Sequence, residues 1–192
     1  MFKDIVIKNR SYRGYDETVK VSEAELKDLV EQTRYVPSGG NLQPLKYRLI
    51  YVSAEVRKMN ELTRWGKMLP DIRLPHPGQY PTAYIMICVD TDICKNPDAV
   101  GTDVGIAAQT ILLGAVEKGL GGCMIGNFDK KAAAEAFCSN PNHVPVLTLA
   151  IGKPVETIKI VDVGEDGSTK YYRDANDVHY VPKRKLEDVL IR

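Results

Sequence analysis

Gly119-Leu120-Gly121-Gly122-Cys123-Met124-Ile125-Gly126 is the stretch on which the fold turns. Its glycine spacing begins like a dinucleotide-binding fingerprint, but the third glycine position holds Met124. The segment also leaves a helix to enter a strand, the reverse of the order that fingerprint needs. A Rossmann reading is rejected. What remains is a short strand over Cys123 to Ile125, ending at Gly126, whose exposed amide can face a ligand.

Upstream of it, Val100, Val104, Ala107, Ala108, Ile111, Leu112, Ala115 and Val116 recur at helical spacing between about Asp98 and Lys118. Apolar groups over most of its circumference predict a helix buried centrally or at an interface. Tyr84 to Val89 is an almost continuous apolar run, which suits a strand buried on both faces. Strands are also predicted over Tyr47–Val52 and Val144–Ile151, with Ile158–Val163 extended. Ser22-Glu23-Ala24-Glu25 is a capping box, and Leu26, Leu29, Val30 and Thr33 follow on one helical face. A further helix runs from Ala54 to about Arg64, and Asp129 caps an alanine-rich helix through Phe137. Residues 66–81 carry too many prolines and glycines for a regular element and read as a long binding or lid loop. Residues 164–192 are polar and read as a C-terminal arm lying on another surface. Several connections are too short for βαβ crossovers, so an α+β fold is expected, with a mixed central sheet flanked by helices.

The chain has 192 residues, 44% hydrophobic and 27% charged, enough for a single ordinary domain with its own core. Twenty-six Lys and Arg against 25 Asp and Glu leave a formal charge of +1, which gives no global field favouring nucleic acid or an anionic membrane. The start, Met1-Phe2-Lys3-Asp4-Ile5, lacks the apolar run of a secretory signal. Val104 to Val116 is shorter than the roughly 18–20 residues of a membrane span. The four cysteines are widely spaced without a C-x-x-C pair, so reduced thiols in a cytoplasmic protein are expected. No hydrolase or metalloprotease motif is present, and His76, His143 and His179 lie far apart.

Four segments can carry chemistry. In Asn9-Arg10-Ser11-Tyr12-Arg13, two guanidinium groups and a hydroxyl suit a phosphate or other anion, although a solvated basic turn has the same composition. In Pro37-Ser38-Gly39-Gly40-Asn41-Leu42-Gln43-Pro44, the glycines permit close backbone approach while Ser38, Asn41 and Gln43 offer hydrogen bonds. A helix-to-strand turn uses similar residues. Gly119–Gly126 is the third. Val181-Pro182-Lys183-Arg184-Lys185 is the fourth, a basic triplet that suits a phosphate or simply a solvated tail.

Taken in order, these four segments resemble the FMN-dependent nitroreductase family from about residue 5 to 189, Pro37–Pro44 being the most specific part. The resemblance implies a domain-exchanged homodimer with two FMN sites at its interface. By the same resemblance, Arg10, Ser11 and Arg13 serve the FMN phosphate, ribityl and pyrimidine edge. Pro37, Ser38, Gly39, Asn41 and Gln43 line the flavin ring from the partner subunit. Ile125 and Gly126 end the strand whose amide faces flavin N5, and Lys183 and Arg184 bind the phosphate. NADH or NADPH would be the reductant and a nitroaromatic or quinone the small-molecule acceptor. A non-catalytic flavin-binding storage or sensing protein, or an anion-binding domain without flavin, stands as the alternative. Asn9 and Leu45 depart from the family's frequent Arg and Trp, and loop 66–81 gives no match to its pyrimidine-ring contacts.

Overall fold

The strand predicted to be buried on both faces organises the molecule. In the computed structural model, which describes residues 1–69 and 71–191, Ala83–Asp90 (β2) is buried at every position. It lies between Leu45–Ile50 (β1) and His143–Gly152 (β4), and Gly121–Ile125 (β3) closes the sheet in the order β1-β2-β4-β3. All three pairings are antiparallel. A parallel strand pairing sits in a second, three-stranded sheet. There Ile158–Asp162 (β5) runs parallel to His179–Lys183 (β7), and Tyr172–Arg173 (β6) runs antiparallel to β7.

Alternation along β2 divides the core in two, as side chains of period two must. Tyr84, Met86 and Cys88 pack towards Ser53–Leu62 (α3) and Lys130–Phe137 (α5), through Val56, Met59, Leu62, Ala133 and Phe137. Ala83, Ile85 and Ile87 pack towards Glu23–Glu31 (α2) and Gly101–Glu117 (α4), through Leu26, Leu29, Ala108, Ile111 and Ala115. A bulge between Ile87 and Cys88 shifts the register: Ile87 opposes Leu147, but Cys88 opposes Pro145. Pro145 has no N–H for a regular ladder, and bulges accommodate such residues.

Local signals place the helices well. Ser22 Oγ accepts from the Glu25 N–H at 3.3 Å and Glu25 reaches back to the Ser22 N–H at 2.8 Å. Asp129 accepts from the Ala132 N–H at 2.9 Å. The apolar helix α4 is preceded by a short 3-10 turn, Pro97–Val100. Together, Pro97–Glu117 has 21 residues and a mean hydropathy of 1.5 over its best window, enough by length and composition to cross a bilayer; 44% of that window is buried inside the fold. It is the core helix of the α2 side.

Two regions differ from the sequence reading. Phe2–Lys8 (α1) is helical where no helix was expected, because its cap is Met1 and none of its residues is buried. Residues 164–192 are only partly a separate arm: β7 pairs with β5 of the same chain, and β6 with β7. The short Leu186–Val189 (α6) follows, and Leu186, Val189, Leu190 and Ile191 are exposed. All four cysteines are free thiols.

Candidate functional site

The glycines of Gly119–Gly126 are explained first by packing. A Cβ on Gly121 would stand 2.6 Å from Tyr12 Cδ2, and one on Gly122 would strike the Ala150 carbonyl. This close approach lets the N-terminal segment lie along β3. Ser11 bridges Gly122, and the Tyr12 N–H donates to the Gly122 carbonyl at 3.1 Å. The next residues run beside the chain leaving β4: Tyr15 bridges Pro154, and the Val155 N–H donates to the Gly14 carbonyl at 3.1 Å.

That path carries Arg10, Ser11 and Arg13 to one wall of a cavity of about 240 Å³, with Tyr171, His179 and Lys183 on other parts of its lining. Lys183, 170 positions after Arg13, arrives at the end of β7. Arg10 donates from Nη2 to the Val6 carbonyl at 2.8 Å, while its buried Nε has no partner. Burial lowers the Arg10 pKa, with Tyr12 acting in the opposite sense. The Arg13 guanidinium lies 5.0 Å from the Tyr171 ring centroid and donates to the Ser11 carbonyl at 3.3 Å. Among the described residues, no carboxylate forms an ion pair with the side chain of Arg10, Arg13 or Lys183.

Beneath this wall is a buried acidic group. Glu156 Oε2 accepts the Arg13 backbone N–H and Oε1 pairs with Arg173 Nη2. Arg173 Nη1 also donates to Asp177 Oδ1 at 2.8 Å. His179, 2% exposed, stacks on Tyr171 with ring centroids 5.2 Å apart. Burial, aided by the charges of Arg13 and Arg173, pushes its pKa down to about 4, so its imidazole is neutral at physiological pH. Three uncompensated cations, a hydroxyl and an unpartnered guanidinium Nε suit a dianionic phosphate group.

The Pro37–Pro44 motif forms a different cavity, of about 190 Å³, lined by Pro37, Ser38, Asn41 and Gln43 with Tyr47 and Asp103. Its backbone is unusual: φ is positive at Gly40 (56°), Asn41 (55°) and Gln43 (51°). Asp103, on the first turn of α4, holds it. Ser38 Oγ donates to Asp103 Oδ2 at 2.6 Å, and the Gly39 N–H is 3.2 Å from both carboxylate oxygens. Ser38 Oγ in turn accepts the Gln43 N–H at 3.0 Å.

Within one chain, then, Arg10, Ser11, Arg13 and Lys183 come together, and so do Pro37, Ser38, Asn41 and Gln43, in cavities that share no lining residue. Arg184 lines a third groove beside Glu165, Glu187 and Asp188. Ile125 is buried in the α3–α5 core, and Gly126 faces open space at the end of β3. Sequence reasoning missed Asp103, Glu156, Tyr171 and Arg173. Another cavity, about 510 Å³, has Lys20, Arg57 and Arg73 in its lining, but Glu17 and Glu61 offset them and it shares no residue with either motif. Among the described residues no group of three or more His, Cys, Asp or Glu could hold a metal ion. The Cys123 thiol is pushed up to about 11 by burial and stays protonated, which removes it as a nucleophile.

The α+β fold thus presents a cavity lined by Arg10, Arg13 and Lys183 with no carboxylate in its lining. The chain belongs to the nitroreductase family, whose model matches residues 6–77 and 94–153. It is 24% identical over 174 residues to an Archaeoglobus fulgidus protein named "Putative NADH dehydrogenase/NAD(P)H nitroreductase", with 90% of each chain covered. Its fold matches that of a nitroreductase family protein from Streptococcus pneumoniae over all of both chains, with a TM-score of 0.73 at 15% identity. It also matches an Exiguobacterium sibiricum structure described as "a putative nitroreductase in complex with FMN", with a TM-score of 0.67 and 23% identity over 81% of this chain and 89% of that one.

Proposed function

We propose that this protein is an FMN-dependent NAD(P)H oxidoreductase acting on an electron-poor acceptor such as a nitroaromatic or quinone. The observation that carries the reading is the convergence of Arg10, Arg13 and Lys183, with an unpartnered Arg10 Nε, on one cavity in a nitroreductase-family chain. Bound FMN supplies hydride transfer between a nicotinamide and the acceptor. The chain's own residues bind and orient. Arg10, Ser11 and Lys183 would hold the phosphate, with Arg184 a further candidate. Arg13 would supply a fixed cation where negative charge grows at the flavin's pyrimidine edge, the kind of preorganised electrostatics that favours the reduced state.

Pro37, Ser38, Gly39, Asn41 and Gln43 would line the flavin ring, and Ile125 and Gly126 would present backbone to it. Because the Pro37–Pro44 cavity and the cation cavity stay separate in one chain, we propose a homodimer in which each subunit's motif completes the other's site. The exposed Leu186, Val189, Leu190 and Ile191 fit that role as the end of an arm. A cytoplasmic location accords with four free thiols.

The test is the absorption spectrum of the purified protein before and after FMN addition, followed by NAD(P)H oxidation with a nitroaromatic or quinone. A flavin spectrum and acceptor-dependent turnover are expected. Bound FMN without turnover would instead favour a storage or sensing protein, and a protein that takes up no FMN overturns the cofactor assignment.

A further inference from the structure

We propose that Glu156 and Arg173 are positioning residues: a buried pair that fixes Arg13 in the cation cavity by clamping the N-terminal segment to the C-terminal strands. This deepens the proposed function but rests on it only for the second of the two measurements below.

The side chains of Arg173 and Glu156 are 1% and 4% exposed. Burying two opposite charges costs desolvation that their attraction only roughly repays, so stability alone is a poor reason for such a pair. What the pair does is geometric. Both Glu156 oxygens are engaged, one by Arg173 Nη2 and the other by the Arg13 backbone N–H, which leaves no carboxylate oxygen pointing at a ligand. Neither Glu156 nor Arg173 lines the cavity, whereas Arg13 does. Their influence on a ligand passes through residues that do line it, Arg13 first.

The contact is tight. A Cβ on Gly14 would lie 2.7 Å from Gln79 Oε1 and 3.0 Å from Glu156 Cγ, so the backbone after Arg13 lies directly on the acid. The second arm of the clamp acts on the Arg13 head group. Tyr171 stands two residues before Arg173, immediately ahead of β6. Anchoring Arg173 on Glu156 sets Tyr171, whose ring stands 5.0 Å from the Arg13 guanidinium carbon. Arg173 also holds Asp177 at 2.8 Å, and Asp177 Oδ2 lies 3.1 Å from His76 Nε2 of loop 66–81. Through Glu156 and Asp177, the Arg173 guanidinium thus links Arg13 of the N-terminal segment and His76 of loop 66–81 to the C-terminal strands.

The test uses Glu156→Gln, Arg173→Met and the double variant, which removes both buried charges and keeps the proposal testable if either single variant unfolds. The first measurement is amide hydrogen exchange of residues 10–15 in the flavin-free protein. Exchange there is expected to rise at least tenfold in every folded variant, against unchanged exchange in α4. The second is the midpoint potential of the FMN-loaded protein. The double variant, which removes one charge of each sign, should lower it as Arg13→Ala should; a tenfold loss in relative affinity for reduced flavin corresponds to about 30 mV for a two-electron couple. In an Arg13→Ala background, the double variant should add no further shift.

Unchanged exchange at residues 10–15 overturns the clamp. An equal potential shift with and without Arg13 overturns the route through Arg13 and leaves a general structural role. If the wild-type protein binds no FMN, the proposed function falls, and the exchange result still decides the clamp.

Discussion

The Ser38 hydroxyl donates to Asp103 Oδ2 at 2.6 Å, joining positions 65 apart in the chain. The same carboxylate accepts the Gly39 N–H, so a single acid on α4 supports a loop whose Gly40, Asn41 and Gln43 all have positive φ. Non-glycine residues in that region carry backbone strain and persist only where their surroundings hold them. Asp103→Ala should therefore destabilise the protein by about 1–3 kcal/mol, the usual penalty for stranding hydrogen-bonding groups. Urea unfolding measures it. Asp103→Asn, which keeps an acceptor, should recover part of the loss.

Lys183 and Arg184 are neighbours in sequence but line different cavities. A charge-assisted hydrogen bond contributes about 1.5–3 kcal/mol, and about 1.4 kcal/mol is tenfold in affinity. Lys183→Ala should weaken FMN binding at least tenfold while riboflavin, which lacks the phosphate, changes much less. Arg184→Ala should have a far smaller effect. Equal losses for FMN and riboflavin in Lys183→Ala would mean that Lys183 acts through the fold.

His179 gives a pH signature. Its folded pKa, near 4, lies below its ordinary value of 6.5, so the unfolded chain binds more protons between those limits. Stability is full above about 6.5 and declines as the pH falls towards about 4. A His179→Phe variant should lose that slope while the carboxylate-driven decline at lower pH persists. A wild-type denaturation midpoint that is flat from pH 7 to pH 4.5 would contradict the assignment.

The two ends of the β3 glycine run should respond differently. Gly122→Ala drives a methyl into the Ala150 carbonyl and should destabilise by about 1–3 kcal/mol, as overpacking does. At Gly126 an added Cβ meets nothing within 4 Å, so Gly126→Ala should leave the thermal midpoint nearly unchanged. The pair separates packing from any ligand role, because a loss of FMN binding in Gly126→Ala at unchanged stability would point to the cofactor.

Elements whose signals are local were legible. Ser22 and Asp129 announce helix starts through their own side-chain chemistry, and the run from Tyr84 to Val89 announces a strand covered on both faces. The four candidate segments were legible as a pattern, and the fold brings Arg10, Ser11, Arg13 and Lys183 of them to one cavity. The acids that organise it were not. Asp103 is one charged residue on an apolar helix, and Glu156 follows a strand end where exposed acids are ordinary; only the tertiary fold brings Ser38 and Arg13 to them. The difference between Lys183 and Arg184 depends on where β7 ends, and neighbouring residues of a strand point to opposite faces. For α1 there was no capping residue to read. The polar composition of residues 164–192 suggested an arm, but composition carries no information about the pairing of β7 with β5.

That parallel pairing has a consequence for biosynthesis. Parallel neighbours need a connection that doubles back, and here it runs from Val163 to Val178 through β6. The central sheet is complete once β4 has been made, whereas Tyr171, His179 and Lys183 leave the ribosome afterwards. A nascent chain halted between β4 and β7 would have a folded core and an open cation wall. The cation wall is therefore expected to be completed after the central sheet, when Lys183 is free to pair beside β5.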